Sequence, residues 1–271
     1  MMQHLKEGMR LTNREPFALF TIFLFHFLWG VLFYRFIQSH VVEVMGRFPP
    51  SELGGERANL FVYESILLLQ KSDIAAPFLW ILLAYVATRL LLTPILHAGM
   101  FFSLHERSGP RGTVFIQGFR RYGGSFVWLF LFRLALTAIP FYWAIPVLRH
   151  SFAVADSYAD LALHLAPWVI GIAIYGSLLK LLFTYILFGL MSDERLFRNL
   201  GIAFRHILPI CGLALSVYGI TLLLSLLVYS ISLYWAGFLA ILLYLAYPLL
   251  QTWLKIWGVA VQYRFWANSK Y

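Results

Sequence analysis

Apolar residues in this chain come in long unbroken runs rather than at the three-and-four spacing of a half-buried helix or the alternate spacing of a half-buried strand. Six runs, at 16–38, 77–102, 126–148, 166–191, 208–232 and 237–263, reach the roughly 20 residues that a helix needs to cross a hydrocarbon core of about 30 Å. The alternating strands of a membrane barrel are absent. The pattern therefore predicts an all-α polytopic membrane bundle of six spans. With 61% hydrophobic and 12% charged residues, the composition lies outside the range of an ordinary water-soluble domain.

The polar connections set the orientation. The N-terminal segment, the 103–125 and 192–207 connections and the C-terminal segment together hold 12 Lys and Arg, against 4 in the 39–76, 149–165 and 233–236 connections. Because basic residues are retained on the cytoplasmic side, both termini are expected there, in a multi-pass cytoplasmic-membrane protein. Lys6, Arg10 and Arg14 precede the first run as in a signal peptide, but its apolar part is too long and no small-residue cleavage site follows, which reads as a retained signal anchor. The net charge of +9 is then topology signal plus attraction to anionic headgroups, with no basic-aromatic groove for nucleic acid. Cys211, the single cysteine, rules out an internal disulfide and a thiolate metal cluster.

The chain also repeats itself. Shifted by 91 positions, 89–100 falls on 180–191 and matches a cation, Leu-Leu, Thr, Ile-Leu and Met; at a shift of 85, Phe119, Arg120 and Arg121 meet Phe204, Arg205 and His206. A fainter copy pairs Gly8, Arg10, Leu19 and Phe20 with Gly118, Arg120, Leu129 and Phe130, and another closes the chain around Lys255. These copies imply three diverged hairpins. Two amphipathic elbows follow, at 113–122 and 192–207, each expected in the membrane plane with arginines (Arg120, Arg121; Arg195, Arg198, Arg205) at headgroups or a protein partner. The second half of the 39–76 connection suits a short interfacial helix.

The six runs contain five cations and no acid. Arg35 and Arg133 lie close enough to span ends to snorkel. Arg89, Lys180 and Lys255 sit about 14–20 Å deep at 1.5 Å per residue, in equivalent repeat positions, where a charge costs several kcal/mol on insertion scales. Convergence on one anion or lipid phosphate is one reading, with Thr93 and Thr184, four residues after Arg89 and Lys180, as further ligands. The other is that each cation snorkels alone and each Thr bonds its own helix. No His pair, carboxylate pair, nucleophile elbow or phosphate loop forms. Neither a metal, a cofactor nor an enzymatic activity is expected.

Gly-Phe-Arg-Arg-Tyr at 118–122 and Ala-Phe-Arg-His at 203–206 resemble the helix-to-elbow signatures of a group of prokaryotic six-helix membrane proteins. That group includes the membrane domain attached to some glycerophosphodiester phosphodiesterases. The resemblance implies an envelope membrane protein; the catalytic domain of those enzymes has no counterpart here, so their activity does not follow. The expected function is non-enzymatic binding of anionic lipid headgroups or small anions, extending to their transport, with a scaffold subunit bound to a membrane-protein partner or to its own copies as the alternative. A reporter that fluoresces only in the cytoplasm should be bright when fused after Tyr271, and a phosphatase active only outside should work when inserted in 39–76. The reverse pattern contradicts the charge-based topology.

Overall fold

A computed structural model describes residues 2–39, 63, 72–106, 108–154, 157–192, 201, 205–234 and 238–269. The interfacial helix expected in 39–76 and most of the 192–207 elbow, including Arg195 and Arg198, lie outside these residues. Seven long helices run through the described residues in chain order: α1 (Met2–Asn13), α2 (Pro16–Ile37), α3 (Ser72–His105), α4 (Arg111–Val154), α5 (Tyr158–Met191), α6 (Ile207–Tyr234) and α7 (Phe238–Asn268). Five of them, α2 to α6, contain stretches long and apolar enough to cross a membrane. No more than 17% of any of these stretches is buried within the protein, which leaves most of their surface for lipid.

Two compact units divide the chain, Met1–Phe20 with Pro94–Tyr271, and Thr21–Thr93. In the smaller, Trp29 and Phe33 of α2 pack on Tyr85 of α3 at centroid separations of 4.9 and 5.6 Å. The Tyr85 hydroxyl donates to the Trp29 carbonyl at 2.7 Å.

The larger unit is held where helix ends meet. Phe188 of α5 contacts Phe101 of α3 at 5.3 Å and Tyr263 and Trp266 of α7 at 5.5 and 5.7 Å, and Phe101 meets Phe126 of α4 at 5.5 Å. Edge and tilted aromatic pairs of this kind add about 0.5–1.5 kcal/mol each beyond area burial. Here they replace the hydrophobic drive that water supplies to soluble cores and lipid does not.

Around this cluster lies α1, whose Leu5, Gly8 and Thr12 recur at three-and-four spacing on one face. That face docks on α7: a Cβ on Gly8 would lie 2.4 Å from a Val261 methyl carbon and 2.9 Å from its Cα, so only glycine admits the backbone approach. The Trp257 indole donates to the Leu5 carbonyl at 3.1 Å and the Trp253 indole to Asn13 Oδ1 at 3.0 Å. Gly118 of α4 meets Phe102 of α3 as closely, at 2.4 Å from a built Cβ to the Phe102 Cβ.

The 113–122 segment, expected as a separate in-plane elbow, is instead the opening of α4, which runs unbroken from Arg111 to Val154. Two features explain the difference. Gly109, at φ +104°, makes the reversal after α3, and Phe115 and Tyr122, read as an interfacial stripe, are buried in the protein. Further along α4, Pro140 has no N–H to give the carbonyl four residues earlier. The Tyr175 hydroxyl of α5 donates to that Leu136 carbonyl at 3.1 Å, so the freed acceptor is met from a neighbouring helix.

Between α1 and α2 the chain turns at Glu15. Its backbone carbonyl accepts from Leu19 at 3.1 Å, with Pro16 at the first helical position, where no donor is missed. Its side chain, 3% exposed, pairs with Arg111 at 2.9 Å and accepts from the Ser103 hydroxyl of α3. Burial raises the Glu15 carboxyl above its usual value, opposed by the Ser103 hydrogen bond and the Arg111 charge. A raised carboxyl contributes stability below about pH 4.5 that is lost as pH rises through the raised value. Glu15→Ala should cost about 1–3 kcal/mol, the range for a hydrogen bond to a charged group, read as a lower melting temperature in detergent. Wild type should also gain stability relative to Glu15→Gln as pH falls toward 4.5; a pH-independent difference would contradict this description of the site.

Candidate functional site

Arg89, Lys180 and Lys255 are all exposed on the surfaces of their helices. Arg89 belongs to the smaller unit and the other two to the larger. Arg89 lies beside the Tyr85 hydroxyl one turn earlier. Lys180, about 16 Å along the helix from the end of α5 at 1.5 Å per residue, donates its ammonium to the Tyr218 hydroxyl of α6 at 3.2 Å, 5.7 Å from that ring's centroid. Lys255 stands on α7 opposite the buried Leu254, Ile256 and Trp257 and takes no part in the Lys180–Tyr218 pair. Among the described residues no carboxylate pairs with any of the three. Two of the deep cations thus have a phenol beside them in place of an acid, which lends a hydrogen-bonding oxygen and leaves the full positive charge uncompensated.

Thr93 and Thr184 both bond their own helices. Thr93 donates to the Arg89 carbonyl at 2.7 Å and Thr184 to the Lys180 carbonyl at 2.8 Å. Each hydroxyl proton is spent on the preceding turn of its own helix, the second of the two readings of these threonines.

A cleft lies between α5 and α6. A space of about 250 Å³ lies between an α5 wall that includes Tyr175, Leu178, Leu182 and Tyr185 and an α6 wall of Ile207 and Ile210. On α6, Ile207, Cys211, Ala214 and Tyr218 recur at helical spacing, so one stripe runs from the cleft's end residue to the phenol that holds Lys180. Tyr185 is 1% exposed, and its hydroxyl has no hydrogen-bond partner among the described residues.

Of the headgroup arginines, Arg120, Arg121 and Arg205 are exposed, with the Arg121 guanidinium 5.2 Å over the Tyr122 ring. Sequence reasoning passed over Glu15, Ser103, Arg111, Tyr185 and Tyr218. The Glu-Pro pair opening the first run was a usable signal for Glu15, since both residues favour a helix start. Tyr185 and Tyr218 carried none, because their roles depend on which helices are neighbours.

The chain matches no family model, no curated protein and no solved structure. Its long apolar helices, largely unburied, define a multi-pass integral membrane protein.

Proposed function

We propose that the protein binds anionic lipid headgroups or small anions within the membrane, with Lys180 and Arg89 as the charged contacts. The observation that carries this reading is the Lys180–Tyr218 pair: an ammonium 11 residues inside the end of a crossing-length helix, exposed, hydrogen-bonded to a phenol and paired with no acid among the described residues. A cation inside a span costs up to about 2.5–3.5 kcal/mol on insertion scales, the figure for the centre. An anion beside it offsets that cost and takes the hydrogen bonds that the ammonium has left to give.

In this reading α7 is the sixth crossing segment and Lys255 the third repeated cation, facing its own anion or the headgroup region. Support for the three-hairpin repeat comes from Gly8 and Gly118, which the internal alignment pairs and which each admit another helix at closest range, Val261 of α7 and Phe102 of α3. Both termini lie in the cytoplasm in this scheme, and Arg120, Arg121 and Arg205 contact headgroups. The likeness of 118–122 and 203–206 to the phosphodiesterase-associated membrane domains is consistent with an envelope protein that handles lipid.

Native mass spectrometry of protein released from vesicles of phosphatidylglycerol and phosphatidylcholine provides the test. Wild type should retain phosphatidylglycerol preferentially, and Arg89→Gln with Lys180→Gln should lose about tenfold of that preference, the effect of one charge-assisted hydrogen bond. An unchanged preference in the folded double variant overturns the reading and moves the function to partner binding at Arg120, Arg121 and Arg205.

A further inference from the structure

The α5–α6 cleft is lined by two tyrosines that the anion site does not use, and the hydroxyl of one, Tyr175, is already spent on the Leu136 carbonyl. Tyr185 shares the cleft wall with Tyr175, leucines and isoleucines, is almost wholly buried, and has a hydroxyl without a partner among the described residues. An unmet buried donor is costly, and buried hydroxyls nearly always find an acceptor. Its ring is held from behind by Phe188 at 5.7 Å, in the aromatic cluster that fixes α3, α4, α5 and α7. The hydroxyl's position is therefore set by the core and does not follow the ligand.

Two features describe what fits there. Apart from the Tyr175 ring, whose hydroxyl is taken up by Leu136 of α4, the remaining lining is leucine and isoleucine between two crossing-length helices, so an alkyl chain from the surrounding bilayer matches it. Tyr185 lies six residues, about 9 Å, from the end of α5. Because α5 has 34 residues and so outruns the roughly 30 Å of hydrocarbon, this level falls near the interfacial layer, where lipid ester groups reside. A donor at that height above an apolar cleft suits a carbonyl acceptor at the head of an acyl chain.

We infer that the α5–α6 cleft holds one acyl chain of an ester-linked glycerophospholipid, with the Tyr185 hydroxyl donating to its ester carbonyl. The chain lies along Leu178, Leu182 and Ile210, and Arg205, exposed two residues before α6, stands on the phosphate side. This inference deepens the lipid-binding reading by naming a lipid class, and it rests on that reading only for the presence of a lipid, since an ester and an ether carry the same charge.

The test compares diacyl phosphatidylglycerol with its dialkyl ether analogue, which lacks the carbonyl. Retention by the purified full chain is followed by native mass spectrometry in an equimolar mixture. Wild type should favour the ester form by about two- to tenfold, the effect of one neutral hydrogen bond. Tyr185→Phe should bring the ratio to about one with its preference for phosphatidylglycerol over phosphatidylcholine intact. Leu182→Trp, which fills the cleft, should reduce retention of both forms. Equal retention of ester and ether by wild type, or an ester preference that survives Tyr185→Phe, overturns the inference. If the ester preference holds while the Arg89 and Lys180 substitutions leave headgroup selectivity unchanged, only the charge-based reading falls.

Discussion

Glu15 is the one charged side chain among the described residues that is fully buried, and the larger unit turns on how it is held. Removing a carboxylate from water costs several kcal/mol unless partners surround it. Here Arg111 and Ser103 do so, one from the start of α4 and the other from the end of α3. Its backbone starts α2 and closes the turn from α1. A single residue therefore joins four helices at one corner. Beside it, α1 lies on α7 through Gly8, and Phe188 of α5 bridges Phe101 of α3 to Trp266 of α7. Helices in lipid gain little from apolar contact as such, so close glycine approaches, aromatic pairs and one buried ion pair have to hold them.

Away from that corner the helices present broad apolar faces, and the cleft between α5 and α6 lies there. Its walls come from helices that the core positions through other contacts: Tyr185 through Phe188, and α6 through the packing of Leu213 and Val217 with Leu254, Trp257 and Val261. The cleft can thus be open without weakening the fold. Its polar groups are the hydroxyls of Tyr175 and Tyr185, and elsewhere on the same two helices Lys180 bonds Tyr218, with no carboxylate among these described residues. Such a set favours an electron-rich oxygen as its complement, and lipids carry these in phosphates and esters.

Much of the architecture was legible in the pattern of apolar runs, because a span needs about 20 uninterrupted apolar residues whatever its neighbours are. Helices α2, α5 and α6 fall within a few residues of the expected ends at one or both termini. The deep cations were equally plain, being the polar exceptions in such runs. Less could be read where neighbours decide the outcome. Phe115 and Tyr122 have the spacing of an interfacial stripe, but α3 lies against them, so the segment is a buried part of α4. Thr93 and Thr184 have the spacing of ligands to the deep cations, but that same spacing of four lets each hydroxyl bond the carbonyl one turn back. Tyr185 and Tyr218 look like two of fifteen tyrosines, and only the pairing of α5 with α6 distinguishes them.

The central claim, that a lipid occupies the α5–α6 cleft, is most directly tested by photo-crosslinking. A benzophenone amino acid replaces Leu182 in the cleft or, as a control, Leu222 on the exposed face of α6. Each protein is washed free of bulk lipid in detergent before irradiation. The account predicts a phosphorus-containing glycerolipid adduct at position 182 and detergent adducts at 222. Detergent alone at both positions would contradict it.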